Sequence, residues 1–498
     1  MTQQSPTSYQ ARLQSFAQFA QRVMQDWLIP GLAVGVVKDG EVIFAEGFGQ
    51  RDREKGLAIT PQTIFPIASC TKAFVAMALA MLVDEGKLDW DVPLRRYLPE
   101  FKLVDEVASE RISVRDLLTH RTGVPGHDLA TFNLQFNTAE LLERIAHLEP
   151  NSDIRTTWQY NNLMYGVAGH VLERISGLSW DEFIRQRILE PLGMKNTSFT
   201  VQDIWAQDDY AMPYKAVAGQ LRRTNFYTAL AADGPAGAIN SNVEDMTRWL
   251  RCLLRQGRYG DGEQRLISAE QFAQLIEPQM LVPITHYQMG QRYLEESRYH
   301  YALGWRVFNY RGHLLAQHSG GINGFTLMTT FLPDDDLGIV VLTNLEPSHA
   351  LFPNIFVYNL CDRVLGLDEL PWNERMMSAT NELMSHMALA REQEACKPGP
   401  AAPLSHQLSA YAGQYKHPGY GVMALTVEGQ GLKCLYNTME FSFTHLHYDV
   451  FHVEHSAIEL SCRASFATDE AGKIASLALP LEPAASPIVF TRVGEGNG

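Results

Sequence analysis

The spacing of apolar positions changes several times along the chain, and each change predicts an element. Leu13, Phe16, Ala20, Val23 and Trp27 recur at spacings of three and four, which lines one helical face. Pro30-Gly31 ends that helix. Two apolar, β-prone runs follow, GLAVGVV and EVIFAEGFG, on either side of Lys38-Asp39-Gly40, and they predict a hairpin. A second strand pair lies far along the chain, at GFTLMTTFL and LGIVVLTN, joined by Pro333-Asp334-Asp335-Asp336. The segments between are mostly helical in pattern. AFVAMALAMLVDEG is apolar nearly all round, which predicts a buried helix capped by Gly86. Ser179-Trp180-Asp181-Glu182 and Ser241-Asn242-Val243-Glu244 read as capping boxes. With strands at both ends and helices in the middle, the pattern predicts an α/β (α+β) unit: one antiparallel sheet closed by both termini, with an all-helical lobe inserted.

This unit is expected to end near residue 370. A polar helical stretch follows, about Asn373 to Glu394, and KPGPAAP, Lys397 to Pro403, reads as a stiff linker. From about His406 the pattern alternates in short runs broken by Gly and Pro, as in VMALTVEG, LKCLYN and FSFTHLHYDVFHVE. That predicts a small all-β domain, sandwich or barrel. The expected division is therefore 1–370, a helix and linker over 371–404, and a β domain over 405–498. A length of 498 residues supports this number of domains, with a core that needs no disulfide or metal staple.

Charge and cysteine usage narrow the function. A formal net charge of −15 argues against nucleic acid and against an anionic membrane surface. The six cysteines, Cys70, Cys252, Cys361, Cys396, Cys434 and Cys462, form no CxxC pair. Neither a disulfide framework nor a zinc ribbon is expected, and free thiols suit a reducing, cytoplasmic compartment. The N-terminal residues carry no signal-peptide pattern, and no apolar run is long enough to span a bilayer.

The chemical signal begins at Ser69-Cys70-Thr71-Lys72. It places Ser69 at the start of the buried helix, where free amides favour developing negative charge. Lys72, three residues on, falls beside Ser69 on the same face. A partly desolvated lysine there loses its proton readily and activates the serine. Alone, S-x-x-K is a weak signal, matched by any N-capping serine followed by a surface lysine. Cys70 reads as an inert packing residue. Two further motifs follow in order. Tyr160-Asn161-Asn162 precedes a helical run, and His318-Ser319-Gly320-Gly321 precedes the strand GFTLMTTF. Tyr160 suits a phenolate base that then serves as acid to the leaving group. Asn162 suits a substrate amide. The Gly320-Gly321 edge suits a substrate carbonyl, with the amides of Gly321 and Ser69 as an oxyanion hole.

These motifs, with PGLAVGVVKDG, IFPIASCTKAF, GKLDWDVPLRRYLPEF, SVRDLLTHRTGV, ILEPLGM, GPAGAINSNVEDMTRWL and QHSGGINGF, resemble the serine β-lactamase and penicillin-binding family. The likeness is to its class C-like branch, which includes D-aminopeptidases and esterases, and it covers about residues 20–365. The resemblance implies a sheet domain with a helical lobe and covalent acyl-enzyme catalysis without a metal or other cofactor. It assigns Ser69, Lys72 and Tyr160 as catalytic, and Asn162, His318, Ser319, Gly320 and Gly321 to substrate binding. The C-terminal part, through SAYAGQYKHPGYG, resembles the lipocalin-like β-barrel appended to some relatives. There the barrel can assist assembly and restrict access, so a homo-oligomer and small-molecule or short-peptide substrates are expected.

One departure bears on substrate. The third motif usually begins with lysine, and here it begins with His318, which is mostly neutral at pH 7. That favours peptide, amide or ester substrates over a β-lactamase or D-Ala-D-Ala carboxypeptidase reading. A silent β-lactam- or peptide-binding sensor is the alternative from outside enzymology. Asn161, where Ser or Ala is usual, is expected to point away from the reaction. His120 and His127 are expected to be satisfied by backbone rather than metal, and His445, His447, His452 and His455 fit no common metal spacing. Asp233 to Gly237 reads as a turn bordering the cleft, and Met280 to Tyr301 as a long loop that shapes the pocket.

Overall fold

Asp39 and Gly40 both have positive φ, 52° and 76°, the geometry a two-residue turn needs to match the twist of its flanking strands. They join β1, Gly31–Lys38, to β2, Glu41–Asp52, in the hairpin expected from sequence. The computed structural model describes residues 11–227, 232–283, 293–346, 352–395, 402–455, 458 and 460–494. Seven more strands complete the main sheet: β3 (Leu57–Ala58), β4 (Met280–Leu281), β5 (Glu296–Tyr301), β6 (Arg306–Tyr310), β7 (His313–Ile322), β8 (Phe325–Leu332) and β9 (Leu337–Thr343). Their order is β4-β5-β6-β7-β8-β9-β1-β2-β3. β1 pairs antiparallel with β9, from Leu32↔Thr343 to Lys38↔Leu337, so strands from both ends of the unit close one sheet.

Seven helices carry the argument below: α1 (Phe16–Asp26), α2 (Thr71–Asp84), α3 (Thr138–Ile145), α4 (Asn162–Ser176), α5 (Val243–Leu254), α6 (Pro353–Leu365) and α7 (Trp372–Ala395). β8 and β9 are buried at every position, the mark of strands covered on both faces. The register shows how. A Cβ on Gly35 would meet Val243 and Thr247 of α5, so α5 covers that face. Val36 points the other way and pairs with Phe44, on which Phe16 of α1 packs edge-on at 5.4 Å. α2 is buried from Thr71 to Leu82, and its Phe74 stacks on Trp249 of α5 at 4.2 Å. A helix that is apolar nearly all round belongs in the centre of a large domain.

The residues between the two strand groups are not all helical. Short pairs at Tyr214–Val217 with Gln220–Arg223, and at Arg258–Tyr259 with Gln264–Arg265, interrupt them where Gly219 and Gly260 take positive φ. The stretch expected to be one long loop carries strands at both ends, β4 and β5, and only residues 284–292 of it lie outside the described residues. The helix expected from Ser241 begins one residue later. Asn242 is the cap, its side chain accepting from the Asp245 amide, because Ser241 is taken into a strand pair with Phe65. Most of the expected linker also lies outside the described residues.

Past α7, eight antiparallel strands run β10 (Gly413–His417), β11 (Gly421–Glu428), β12 (Gly431–Tyr436), β13 (Met439–His447), β14 (Val450–His455), β15 (Leu460–Thr468), β16 (Ile474–Leu479) and β17 (Ile488–Arg492). β10 pairs with β17 and closes a barrel, which removes every free sheet edge. Tyr411, Phe451 and Phe466 pack edge-on in its interior.

By contact density the chain falls into two compact units. The first holds Met1–Val92, Ser113–His120 and Met164–His386, with the whole main sheet. The second holds Pro93–Ile112, Arg121–Leu163 and Met387–Gly498, so the barrel groups with two segments from the first third of the chain. Among the described residues no helix is long and apolar enough to cross a membrane.

Candidate active site

Ser69 lies in a single 3-10 turn, Ala68–Cys70, that runs directly into α2. Phe65 and Pro66 pair with Asn240 and Ser241 just before it, and the Thr71 hydroxyl accepts from the Ile239 amide just after. The turn is thus held on both sides. Between them Ala68 takes φ +46°, a left-handed conformation that a non-glycine residue keeps only where its surroundings enforce it. Gly320 of β7 supplies part of that enforcement. A Cβ on Gly320 would stand 2.3 Å from the Ile67 carbonyl oxygen, so only glycine lets the strand come this close. Pairing of β6 with β7 ends at Arg306↔Gln317, and among the described residues β7 is paired from His318 onward only with β8.

Lys72 is fully buried, and its Nζ lies in hydrogen-bonding reach of Ser69 Oγ at 3.1 Å and of the Ala236 carbonyl at 2.8 Å. The Tyr165 ring lies 5.2 Å from Nζ, a cation–π distance. Ser69 itself is half-buried and retains access to solvent. The structure therefore brings the first two sequence-predicted residues into hydrogen-bonding reach. It also adds two partners that the motif does not contain. Ala236 lies in the Asp233–Gly237 segment read as a turn, and Tyr165 lies in α4. Cys70 is buried, its thiol donates to the His318 carbonyl at 3.2 Å, and burial pushes its pKa up to about 11. It stays a thiol and packs.

His318 is buried at the start of the third motif, with Nε2 2.8 Å from the Tyr301 hydroxyl and Nδ1 2.7 Å from the Ser319 carbonyl oxygen. The carbonyl can only accept, so Nδ1 carries the proton and Nε2 accepts from the tyrosine. Burial, then the nearby Arg306 and Lys72 charges, hold His318 well below the usual histidine range, so it is neutral at pH 7. His120, its ring tilted against that of Tyr301 at 4.7 Å, is driven low in the same way. The fixed cation at this strand comes instead from Arg306 on β6, whose Nη1 donates to Ser319 Oγ at 3.0 Å. No motif in the sequence pointed to Arg306, because its neighbour is set by strand register rather than by spacing along the chain. Gly321 is exposed on β7.

Tyr160 and Asn162 belong to the second unit and are placed within it. Tyr160 is half-buried, its ring 6.1 Å from that of Trp158. Asn162 opens α4 and donates to the Asp128 carboxylate at 3.1 Å. Asn161 is fully buried and donates to the Pro125 and Val124 carbonyls at 2.6 and 3.3 Å, so its side chain is committed to the backbone. His127 Nε2 meets the Glu149 carbonyl at 3.0 Å. Among the described residues no group of three or more His, Cys, Asp or Glu could hold a metal ion.

An antiparallel sheet backed by helices, with a serine and a lysine one helical turn apart at its edge, is the architecture of penicillin-recognising serine hydrolases. A family model described as Beta-lactamase matches residues 16–359, and the chain belongs to that family. A second, described as a Domain of unknown function (DUF3471), matches 397–492 and takes in the barrel. Unguisins hydrolase ungD′ of Aspergillus campestris is 28% identical over 428 residues, 82% of this chain and 76% of that protein. Unguisins hydrolase ungD of Aspergillus violaceofuscus is 27% identical, covering 92% and 86%. Among solved structures, the octameric penicillin-binding protein homologue from Pyrococcus abyssi aligns with a TM-score of 0.61 at 24% identity, covering 95% of this chain and 98% of that one. D-amino acid amidase from Ochrobactrum anthropi aligns with a TM-score of 0.57 at 22% identity, covering 71% and 99%. At these identities the two structures speak for the fold.

Proposed function

We propose that the chain hydrolyses peptide, amide or ester bonds of small substrates through an acyl-enzyme on Ser69. The observation that carries this reading is the position of Lys72 between Ser69 Oγ and the Ala236 carbonyl. A neutral lysine amine has two N–H bonds and one lone pair. With one N–H on Ala236, the lone pair can face Ser69 and take its proton as Oγ attacks the acyl carbon. The amides of Ser69 and Gly321 would receive the oxyanion, and Tyr160 would pass the proton to the leaving amine or alcohol as its bond to carbon breaks. Water then cleaves the ester, returning the acid and free Ser69. Asn162, His318, Ser319 and Gly320 would line the substrate. The two relatives named as unguisins hydrolases support hydrolysis as the reaction.

A specific observation also favours a narrower reading, a β-lactamase or D-Ala-D-Ala carboxypeptidase. Arg306 on Ser319 restores beside the third motif the positive charge that His318 does not supply, and a substrate carboxylate would use it. The finer assignments go with the main reading: a hydrolase domain over 1–370, a helix and linker over 371–404, a lipocalin-like barrel domain over 405–498, a cytoplasmic location, and a homo-oligomer like the octameric homologue.

The test is intact-mass analysis after a fluorophosphonate probe, with peptide mapping, on the wild type and Ser69→Ala. A single adduct on Ser69, absent in the variant, is expected; labelling at another residue overturns the reading. Turnover of a nitrophenyl ester, a D-amino-acid anilide and a chromogenic cephalosporin then separates the substrate classes. A stable adduct with all three and no turnover would favour the sensor.

A further inference from the structure

We infer that the C-terminal barrel positions the second motif, Tyr160-Asn161-Asn162, through Glu482 and the segment 124–128. The inference rests on the proposed role of that motif in acylating Ser69. Glu482 lies in the loop between β16 and β17, half-buried. Its Oε2 accepts from the His127 amide at 2.8 Å, while Oε1 accepts from the Ala484 amide at 3.0 Å and fixes the carboxylate in its own loop. His127 has φ +48°, a left-handed conformation that costs free energy in a residue other than glycine and persists only where it is over-determined. Three contacts determine it. The first is the bond to Glu482. The second is Nε2 on the Glu149 carbonyl, which as a pure acceptor makes Nε2 the protonated nitrogen. The third follows from that tautomer: Nδ1 accepts from the hydroxyl of Tyr420, a barrel residue, at 2.7 Å. Two of the three therefore come from the barrel.

The segment held this way in turn holds the motif. Val124 and Pro125 accept hydrogen bonds from the buried Asn161 amide, and Asp128 accepts from Asn162. Gly126 lies at the junction: a Cβ there would stand 3.4 Å from the Tyr160 carbonyl oxygen, 3.5 Å from Asp128 Oδ2 and 3.6 Å from Glu482 Oε2. A carboxylate of the barrel and the backbone of Tyr160 thus meet across one glycine. The Asn151 side-chain amide donates to the Ala484 carbonyl, and the Tyr436 hydroxyl donates to the Leu129 carbonyl, so the chain that follows His127 is tied to the barrel at two further points. Glu482 is a positioning residue: it reaches the reaction only through His127, Asp128 and the motif.

The second-order rate of fluorophosphonate labelling at Ser69 is measured for the full-length wild type, Glu482→Ala, Glu482→Gln and Asp449→Asn, each with its melting temperature. Asp449 bonds Ser405 and Tyr411 in the barrel and has no bond to 124–128, so its variant reports barrel destabilisation alone. Glu482→Ala is expected to label about tenfold more slowly. Glu482→Gln keeps an oxygen that accepts from His127 and is expected to stay within about twofold, as is Asp449→Asn. The inference is overturned if wild type labels at Ser69 and Glu482→Ala matches it. It is equally overturned if Asp449→Asn slows labelling as much at an equal loss of melting temperature. Labelling elsewhere than Ser69 in the wild type would remove the proposed function and this inference with it.

Discussion

Gly320→Ala adds one methyl group to the strand that backs Ser69, and its consequence follows from three distances. The new Cβ would stand 2.3 Å from the Ile67 carbonyl oxygen, 3.2 Å from the Ile67 carbonyl carbon and 3.1 Å from a Leu327 methyl. Carbon-to-carbonyl-oxygen contacts settle at about 3.3–3.6 Å, so strand and turn must part by roughly 1 Å. Leu327 can rotate away. Ile67 cannot, because its oxygen belongs to backbone pinned by the Phe65–Pro66 pairing and by its own amide on the Ile239 carbonyl. The displacement therefore falls on the turn that carries Ser69, two residues on, and on the amides proposed for the oxyanion. Overpacking of this kind costs about 1–3 kcal/mol of stability, and a misplacement of about 1 Å at a reacting group costs about 100-fold in rate. The expected outcome is a folded protein with a slightly lower melting temperature whose Ser69 labels with fluorophosphonate roughly 100-fold more slowly. A variant that labels at the wild-type rate would refute the reasoning, because it would mean that the β7–Ser69 contact does not set the geometry of the nucleophile.

Lys72→Met keeps the volume of a fully buried side chain and removes its nitrogen from Ser69 and Ala236. Labelling of Ser69 should fall about 10²- to 10⁴-fold, measured as above, and an unchanged rate would show that the serine has another base. Arg306→Gln removes the guanidinium charge that stands on Ser319 of the third motif. kcat/KM should drop about 10- to 100-fold for a peptide ending in a free carboxylate and hardly at all for its C-terminal amide; equal losses on both would refute carboxylate recognition. Glu296 is buried against the Tyr299 and Tyr358 hydroxyls, and burial raises its pKa from the usual 4.5 to about 7. A raised acid binds its proton more tightly when folded. Its ionisation therefore costs nothing below pH 4.5 and erodes stability as pH climbs to about 7, by up to about 3 kcal/mol. Urea denaturation should find Glu296→Gln more stable than wild type at pH 8 and the two closer at pH 5; the same difference at both would sink the argument.

Local pattern and short spacing were legible in the sequence. The Asp39-Gly40 turn, the buried helix after Ser69 and the strand pair around residues 333–336 depend on a few adjacent residues, and apolar periodicity states those directly. The reach of Lys72 to Ser69 was legible for the same reason, since three residues make nearly one helical turn. Ser241 was misread because a local capping pattern competes with strand pairing, and the long-range pair to Phe65 won. Three contacts had no sequence signal, although the segment of one of them, Asp233–Gly237, reads as bordering the cleft. Arg306 meets Ser319 through the register of β6 on β7, Ala236 meets Lys72 across distant segments, and Glu482 meets His127 from a barrel loop. The sequence by itself determined which residues are apolar, which can turn and which can react. The tertiary structure decided which charges and carbonyls surround the reactive ones, because those neighbours are chosen by packing and strand register, which no window of adjacent residues contains.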